Sequence, residues 1–151
     1  MNLSALKSPP FRSYVVSLHL ALNGFWAQRV IIGWLAWEMT GSAGFVGLVA
    51  FLNFFPTLFV SPLFGVFADR IDVRKGSILS YALAGILSAL FAGLCIFGSP
   101  TPVLLALFSF VTGVISSANH PMRMSLTPRL APAGDLPSVV AITSLNFNMS
   151  R

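Results

Sequence analysis

Charge is what this sequence lacks. Its 151 residues include nine Lys and Arg and four Asp and Glu, 9% in all, against a 56% share of hydrophobic residues. Soluble domains carry roughly 25% charged residues, because water must be met by a polar surface. A chain so poor in charge cannot clothe a water-soluble fold, and its mean hydropathy of +0.84 points to lipid as the surrounding medium. Cysteine is almost missing too. Cys95 stands alone inside an apolar run; one thiol makes no intrachain disulfide and no metal cluster, and it reads as a small packing residue. Catalytic furniture is absent: there is no glycine-rich phosphate loop, no pair of carboxylates within an apolar run and no Cys/His cluster. Asp69, Asp72 and Asp135 fall in connections, Glu38 sits at the end of an apolar run, and His120 has no partner at metal-ligand spacing. The chain therefore reads as a non-enzyme with no cofactor and no metal.

What the sequence has instead is long apolar runs. They extend from about Tyr14 to Trp37, Phe45 to Phe67, Ser77 to Phe97 and Val103 to Met122, and a fifth begins near Ser138 and is cut off at Arg151. About 20 apolar residues cross the hydrocarbon core as a helix, so each of the first four is one span. Strands of a membrane barrel would alternate apolar and polar over about ten residues; these runs are apolar all round. The first run follows Lys7 and Arg12 but continues past Arg29 and lacks an A-x-A site. It is therefore a retained helix and not a signal peptide.

Basic residues are confined to alternate ends of these runs. Lys7 and Arg12 precede the first, Arg70, Arg74 and Lys75 lie between the second and third, and Arg123 and Arg129 lie between the fourth and fifth. The connections 38–44 and 98–102 hold no Lys or Arg. By the positive-inside rule the N-terminus, the 68–76 loop and the 123–137 connection are cytoplasmic. The net charge of +5 is thus spent on topology; no soluble basic face exists for a nucleic acid.

Topology alone requires neither acid in the stretch GVFADRIDVRKG, residues 65–76, since Asp and Glu contribute little to orientation. The spacing Gly65-x-x-x-Asp69-Arg70, with Arg74 at the final basic position, resembles the signature loop between the second and third helices of the major facilitator superfamily, written G-x-x-x-D-R-x-G-R-K. Asp72 stands where that pattern has its second glycine, Val73 where it has an arginine, and Lys75 adds a basic residue beyond it. The resemblance implies that Gly65 admits a close helix, that Asp69 meets the positive N-terminal end of a helix, and that Arg70 and Arg74 join a charge network. Together they would hold a bistable interface closed on the cytoplasmic side. Pro121, Arg123, Pro128, Leu130, Leu136, Asn148 and Arg151 carry a second likeness, to the bacterial macrolide and siderophore exporter branch. Proton-coupled exporters of the superfamily often carry an arginine in the fourth helix four residues before a glycine. Here Gly113 fits the glycine and Ser109 holds the arginine's place, so coupling through that position is not expected.

Polar groups inside the runs mark further candidates. Ser109, Gly113 and Ser117 recur every fourth residue, and small residues at that spacing let helices approach closely. Ala82, Gly85, Ala89 and Gly93 suggest the same for the third helix. Arg29 is costly inside a membrane, and two readings are open: it snorkels to the outer interface, or it faces a central cavity and attracts an anion. His19 and Asn23 share a face of the first helix, with Gln28 a further cavity candidate. In the fifth helix Ser144, Asn148 and Arg151 fall within about 40° of one another, and Asn148 and Arg151 are cavity or coupling candidates.

The expected fold is an all-α integral membrane bundle of the major facilitator type, with four transmembrane helices and the start of a fifth. Residues 1–151 form an incomplete N-terminal half of a twelve-helix transporter. The expected function is secondary transport, export of a drug- or siderophore-like small molecule by alternating access with ion coupling. Its partners are the small-molecule substrate, the lipid of the inner cell membrane and the C-terminal half. The alternatives are a small stand-alone membrane protein that oligomerises as a channel or scaffold, and a membrane-embedded enzyme or assembly factor.

Overall fold

The computed structural model describes residues 4–68, 72–130 and 135–150; for 65–68 and for His120 it describes the backbone alone. After one 3-10 turn at Ser4–Lys7, the described chain forms five helices: α1 Pro9–Thr40, α2 Ala43–Ala68, α3 Val73–Phe97, α4 Pro102–Arg129 and α5 Leu136–Met149. Four of them are long and apolar enough to cross a membrane, and no strand occurs among the described residues. The protein is an all-α membrane protein.

Local chemistry places the helix ends. Pro9 and Pro10 open α1, where a missing N–H costs nothing. Gly41 ends it at φ +60°, a left-handed conformation that glycine adopts without penalty, and its N–H bonds the Trp37 carbonyl at 2.7 Å. Ser42 then caps α2 by accepting from the Phe45 N–H at 3.3 Å. Thr101 caps α4 in the same way, accepting from the Leu104 N–H at 3.3 Å. These short caps explain why the connections without Lys or Arg are so brief.

The helices overrun the apolar runs read from sequence. The α1 helix has 32 residues, about 48 Å at 1.5 Å per residue, against about 30 Å of hydrocarbon. The larger difference is in α4, which continues past Met122 to Arg129 through residues that read as connection. Three prolines suggested a break between 123 and 137. Pro128 instead sits in the last turn of α4, and Pro137 occupies the first turn of α5, a position where proline is tolerated. Polar residues beyond the hydrocarbon do not stop a helix.

The chain divides into two compact units, Met1–Arg29 with Met124–Arg151, and Val30–Arg123. The second contains the C-terminal part of α1, all of α2 and α3, and most of α4. Its core joins Ile32 and Ala36 from α1, Val49 from α2, and Leu105 and Phe108 from α4. Phe91 of α3 stacks on Phe108 with ring centroids 4.1 Å apart. Of the four spans, α4 is the most buried and α3 the least. The first unit has its own core, in which Phe11 of α1 packs with Ala5 of the 3-10 turn and with Val139 and Ile142 of α5. Most large apolar side chains elsewhere, among them Phe51, Leu58, Ile86 and Phe97, are exposed. In lipid that exposure has no hydrophobic penalty, so packing rests on close contact and polar pairs.

Candidate functional site

The charged stretch is described in part. Gly65 is helical in backbone, near the end of α2, while Asp69 and Arg70 lie outside the described residues. Asp72 is the N-cap of α3: its carboxylate accepts from the Arg74 N–H at 3.0 Å and from the Lys75 N–H at 3.3 Å. This gives a local reason for an acid at the position where the signature pattern has glycine. It ties down two of the orphan donors of the first turn and offsets two basic residues that the helix dipole disfavours there. Arg74 is exposed on that first turn, whereas Val73 is fully buried.

Within the larger unit, α2 and α4 meet along the Ser109, Gly113, Ser117 stripe. Ser109 and Ser117 are fully buried, and each hydroxyl donates within α4, to the Leu105 carbonyl at 2.8 Å and the Gly113 carbonyl at 2.7 Å. A methyl group at Gly113 would lie 3.0 Å from the Asn53 carbonyl carbon and collide with its oxygen. Asn53 crosses the same seam, donating to the Ser109 carbonyl and to Thr112 Oγ1, both at 3.2 Å. Thr57, one turn on, meets Ser117 at 3.2 Å. The helix α3 joins α4 through Ser80, whose hydroxyl bonds the Asn119 side chain. The small-residue stripe of α3 lies elsewhere: Ala82, Gly85 and Ala89 are exposed, and a methyl group at Gly85 or Gly93 would meet nothing within 4 Å. The buried serines, Ser77 and Ser80, lie on a different face.

In the smaller unit α1 and α5 share a polar cluster. His19 Nδ1 lies 2.6 Å from Asn146 Oδ1 and 3.3 Å from Ser150 Oγ. Asn146 Nδ2 donates to the Val15 carbonyl at 3.0 Å. Asn23 Nδ2 donates to the His19 carbonyl at 2.8 Å and to Ser150 Oγ at 3.3 Å. Beside the cluster is a cavity of about 330 Å³, apolar except for His19 and Asn146. Asn23 thus belongs to a network, and Gln28 is half-buried on the same helix. The Arg29 guanidinium sits 5.2 Å from the Trp26 ring and 5.7 Å from Phe25, and Trp26 meets Phe147 of α5 edge-on at 6.2 Å. Cation–π contact of this kind stabilises a charge away from water.

On α5 the residues turned inward are Ser138, Val139, Ile142, Asn146 and Ser150. Asn148 is exposed and donates to the Ser144 carbonyl of its own helix at 2.8 Å; Arg151 lies outside the described residues. Sequence reasoning passed over Asn146, Ser150, Asn53 and Thr57. Their signal was present as fourfold spacing: 138, 142, 146 and 150 on α5, and 53 and 57 on α2. Among the described residues no group of His, Cys, Asp and Glu is placed to hold a metal ion.

Comparison with known proteins follows the same line. The model of the transmembrane secretion effector family matches residues 1–151. The staphyloferrin A transporter of Staphylococcus aureus is 23% identical over 138 residues, covering 89% of this chain and 34% of that protein. The chain thus spans about a third of the length of the curated relative it matches. No solved structure matches it significantly.

Proposed function

This chain belongs to the transmembrane secretion effector family of the major facilitator superfamily, and on that premise we propose that it is the N-terminal part of a secondary transporter that exports a small molecule. The observation that carries the reading is a family match across residues 1–151 laid over four membrane-length helices. The similarity to a staphyloferrin A transporter favours a siderophore-like substrate. Transport proceeds by alternating access: two halves rock about a central site, driven by an ion gradient. The N-terminus and the 68–76 loop lie in the cytoplasm, with the protein in the inner cell membrane.

In this reading Gly65, Asp69, Arg70 and Arg74 form the cytoplasmic latch. The capped start of α3 supports it, because Asp72 holds the backbone N–H of Arg74 in the first turn of the helix. Arg29, held beside the Trp26 and Phe25 rings, offers a charge to an anionic group. Seams at Ser109, Gly113 and Ser117 keep α2 and α4 rigid while the halves move.

The test uses the full-length transporter in everted membrane vesicles, with radiolabelled staphyloferrin A as the probe. Wild type is expected to accumulate the probe, and Asp69→Asn to abolish accumulation with unchanged membrane insertion. Normal transport by Asp69→Asn at equal expression would overturn the latch. Failure of the wild type across several siderophore probes would overturn the substrate class.

A further inference from the structure

The hydrogen bonds around His19 run in one direction only, and they fix which ring nitrogen carries a hydrogen. Asn146 Nδ2 donates to the Val15 carbonyl at 3.0 Å, which leaves Oδ1 facing the imidazole. An amide oxygen only accepts. His19 Nδ1, 2.6 Å away, must therefore be the donor. Ser150 agrees with this. Its hydroxyl donates to the Asn146 carbonyl at 2.9 Å, so the lone pairs of Oγ are left to accept from Asn23 Nδ2 and from Nδ1. With Nδ1–H assigned, the neutral ring carries its lone pair at Nε2. Among the described residues nothing hydrogen-bonds Nε2, and His19 lines the cavity between α1 and α5.

Among the described residues, the lining of that cavity supplies no competing base. The other residues lining that cavity are aliphatic, methionine or the Asn146 amide. Among the described residues, the charged groups of this unit are Lys7, Arg12, Arg29, Arg129 and Asp135, and none of them lines the cavity. Lys7 is the chain neighbour of the lining residue Leu6, and Arg12 lies two helical turns before His19 on nearly the same face. Arg151, next to Ser150 in the chain, lies outside the described residues.

We propose that His19 is a protonation site, with Nε2 as the accepting atom, and that it couples transport to protons; the coupling clause rests on the transport function proposed above. A proton from water at the cavity mouth adds to the Nε2 lone pair and gives the imidazolium, while Nδ1–H stays on Asn146. The reverse step returns the proton to water, and no covalent bond other than N–H forms or breaks. Asn146 and Ser150 are positioning residues: they act by holding the tautomer.

The site can be tested without knowing the substrate. The full-length protein, labelled with ¹⁵N-histidine and carrying His120→Gln together with replacement of any histidine outside residues 1–151, shows the His19 ring alone. The expected spectrum of the neutral ring is a single Nδ1–H tautomer, with the added proton appearing at Nε2 on acidification. Asn146→Leu, which removes the acceptor, is expected to give mixed tautomers. An Nε2–H tautomer in the parent protein, or a ring that takes up no second proton, would overturn the protonation site. Coupling is read separately in vesicles with the siderophore probe. His19→Gln is expected to lose accumulation driven by a pH gradient and to keep probe exchange in the absence of a gradient. Retained gradient-driven accumulation would overturn the coupling role while leaving the transport reading intact. Loss of both gradient-driven accumulation and exchange in His19→Gln would also overturn it, since the residue would then act in translocation itself.

Discussion

Gly113 shows how much one missing side chain decides. Its hydrogen lets the α4 backbone lie against the Asn53 carbonyl of α2, and a methyl group there has nowhere to go because the obstacle is backbone. Gly113→Ala is expected to force the helices apart and to destabilise by about 1–3 kcal/mol, the usual cost of overpacking. Gly85→Ala is the control: nothing lies within 4 Å of the added carbon, so no loss is expected. Thermal unfolding of the two variants in the same detergent separates them, and equal midpoints would contradict the close approach. The glycines look alike in sequence, each within a small-residue stripe, yet only one touches another helix.

At the scale of the helix, the start of α3 depends on Asp72. Its carboxylate holds the Arg74 and Lys75 N–H groups and lies beside two basic residues at a positive helix end. Removing it by Asp72→Ala is expected to cost about 1 kcal/mol and to fray the first turn. Asp72→Asn keeps a capping oxygen and should cost less. Amide hydrogen exchange at Arg74 and Lys75 reports this directly, with faster exchange expected in the alanine variant alone. Unchanged exchange would mean that the cap does not hold the turn. The same logic accounts for α4: a proline in a helix interior loses one bond, and the turns beyond Pro121 continue to Arg129. Seams between helices follow polar side chains at fourfold spacing, where each interhelical hydrogen bond contributes about 0.6 kcal/mol on average.

For the molecule as a whole, the distribution of Lys and Arg makes a topological prediction. Reporter fusions after residue 75 and after residue 129 are expected to be active only in the cytoplasm. Fusions at Gly41 and Gly98 are expected to be active only outside. A fusion at 75 with an external signal would overturn both the orientation and the cytoplasmic latch. The family assignment explains why so much apolar surface is left open on α2 and α3: a membrane helix needs no water-driven core, and lipid is a sufficient neighbour.

The sequence by itself determined the class. Runs of about twenty apolar residues admit little besides membrane helices, and the alternation of basic residues and the Gly65, Asp69, Arg70 and Arg74 spacing pointed to the family that the whole chain matches. Hydrophobicity is a sum over a segment, so it can be read without coordinates. Which face of each helix packs was decided by tertiary structure. A helix that is apolar all round has no periodicity to read, and lipid and protein neighbours look equally favourable to Leu or Phe. Ser144 and Asn148 were therefore visible as a polar face, while the inward pair proved to be Asn146 and Ser150, selected by the partners that α1 offered them: His19, the Val15 carbonyl and Asn23.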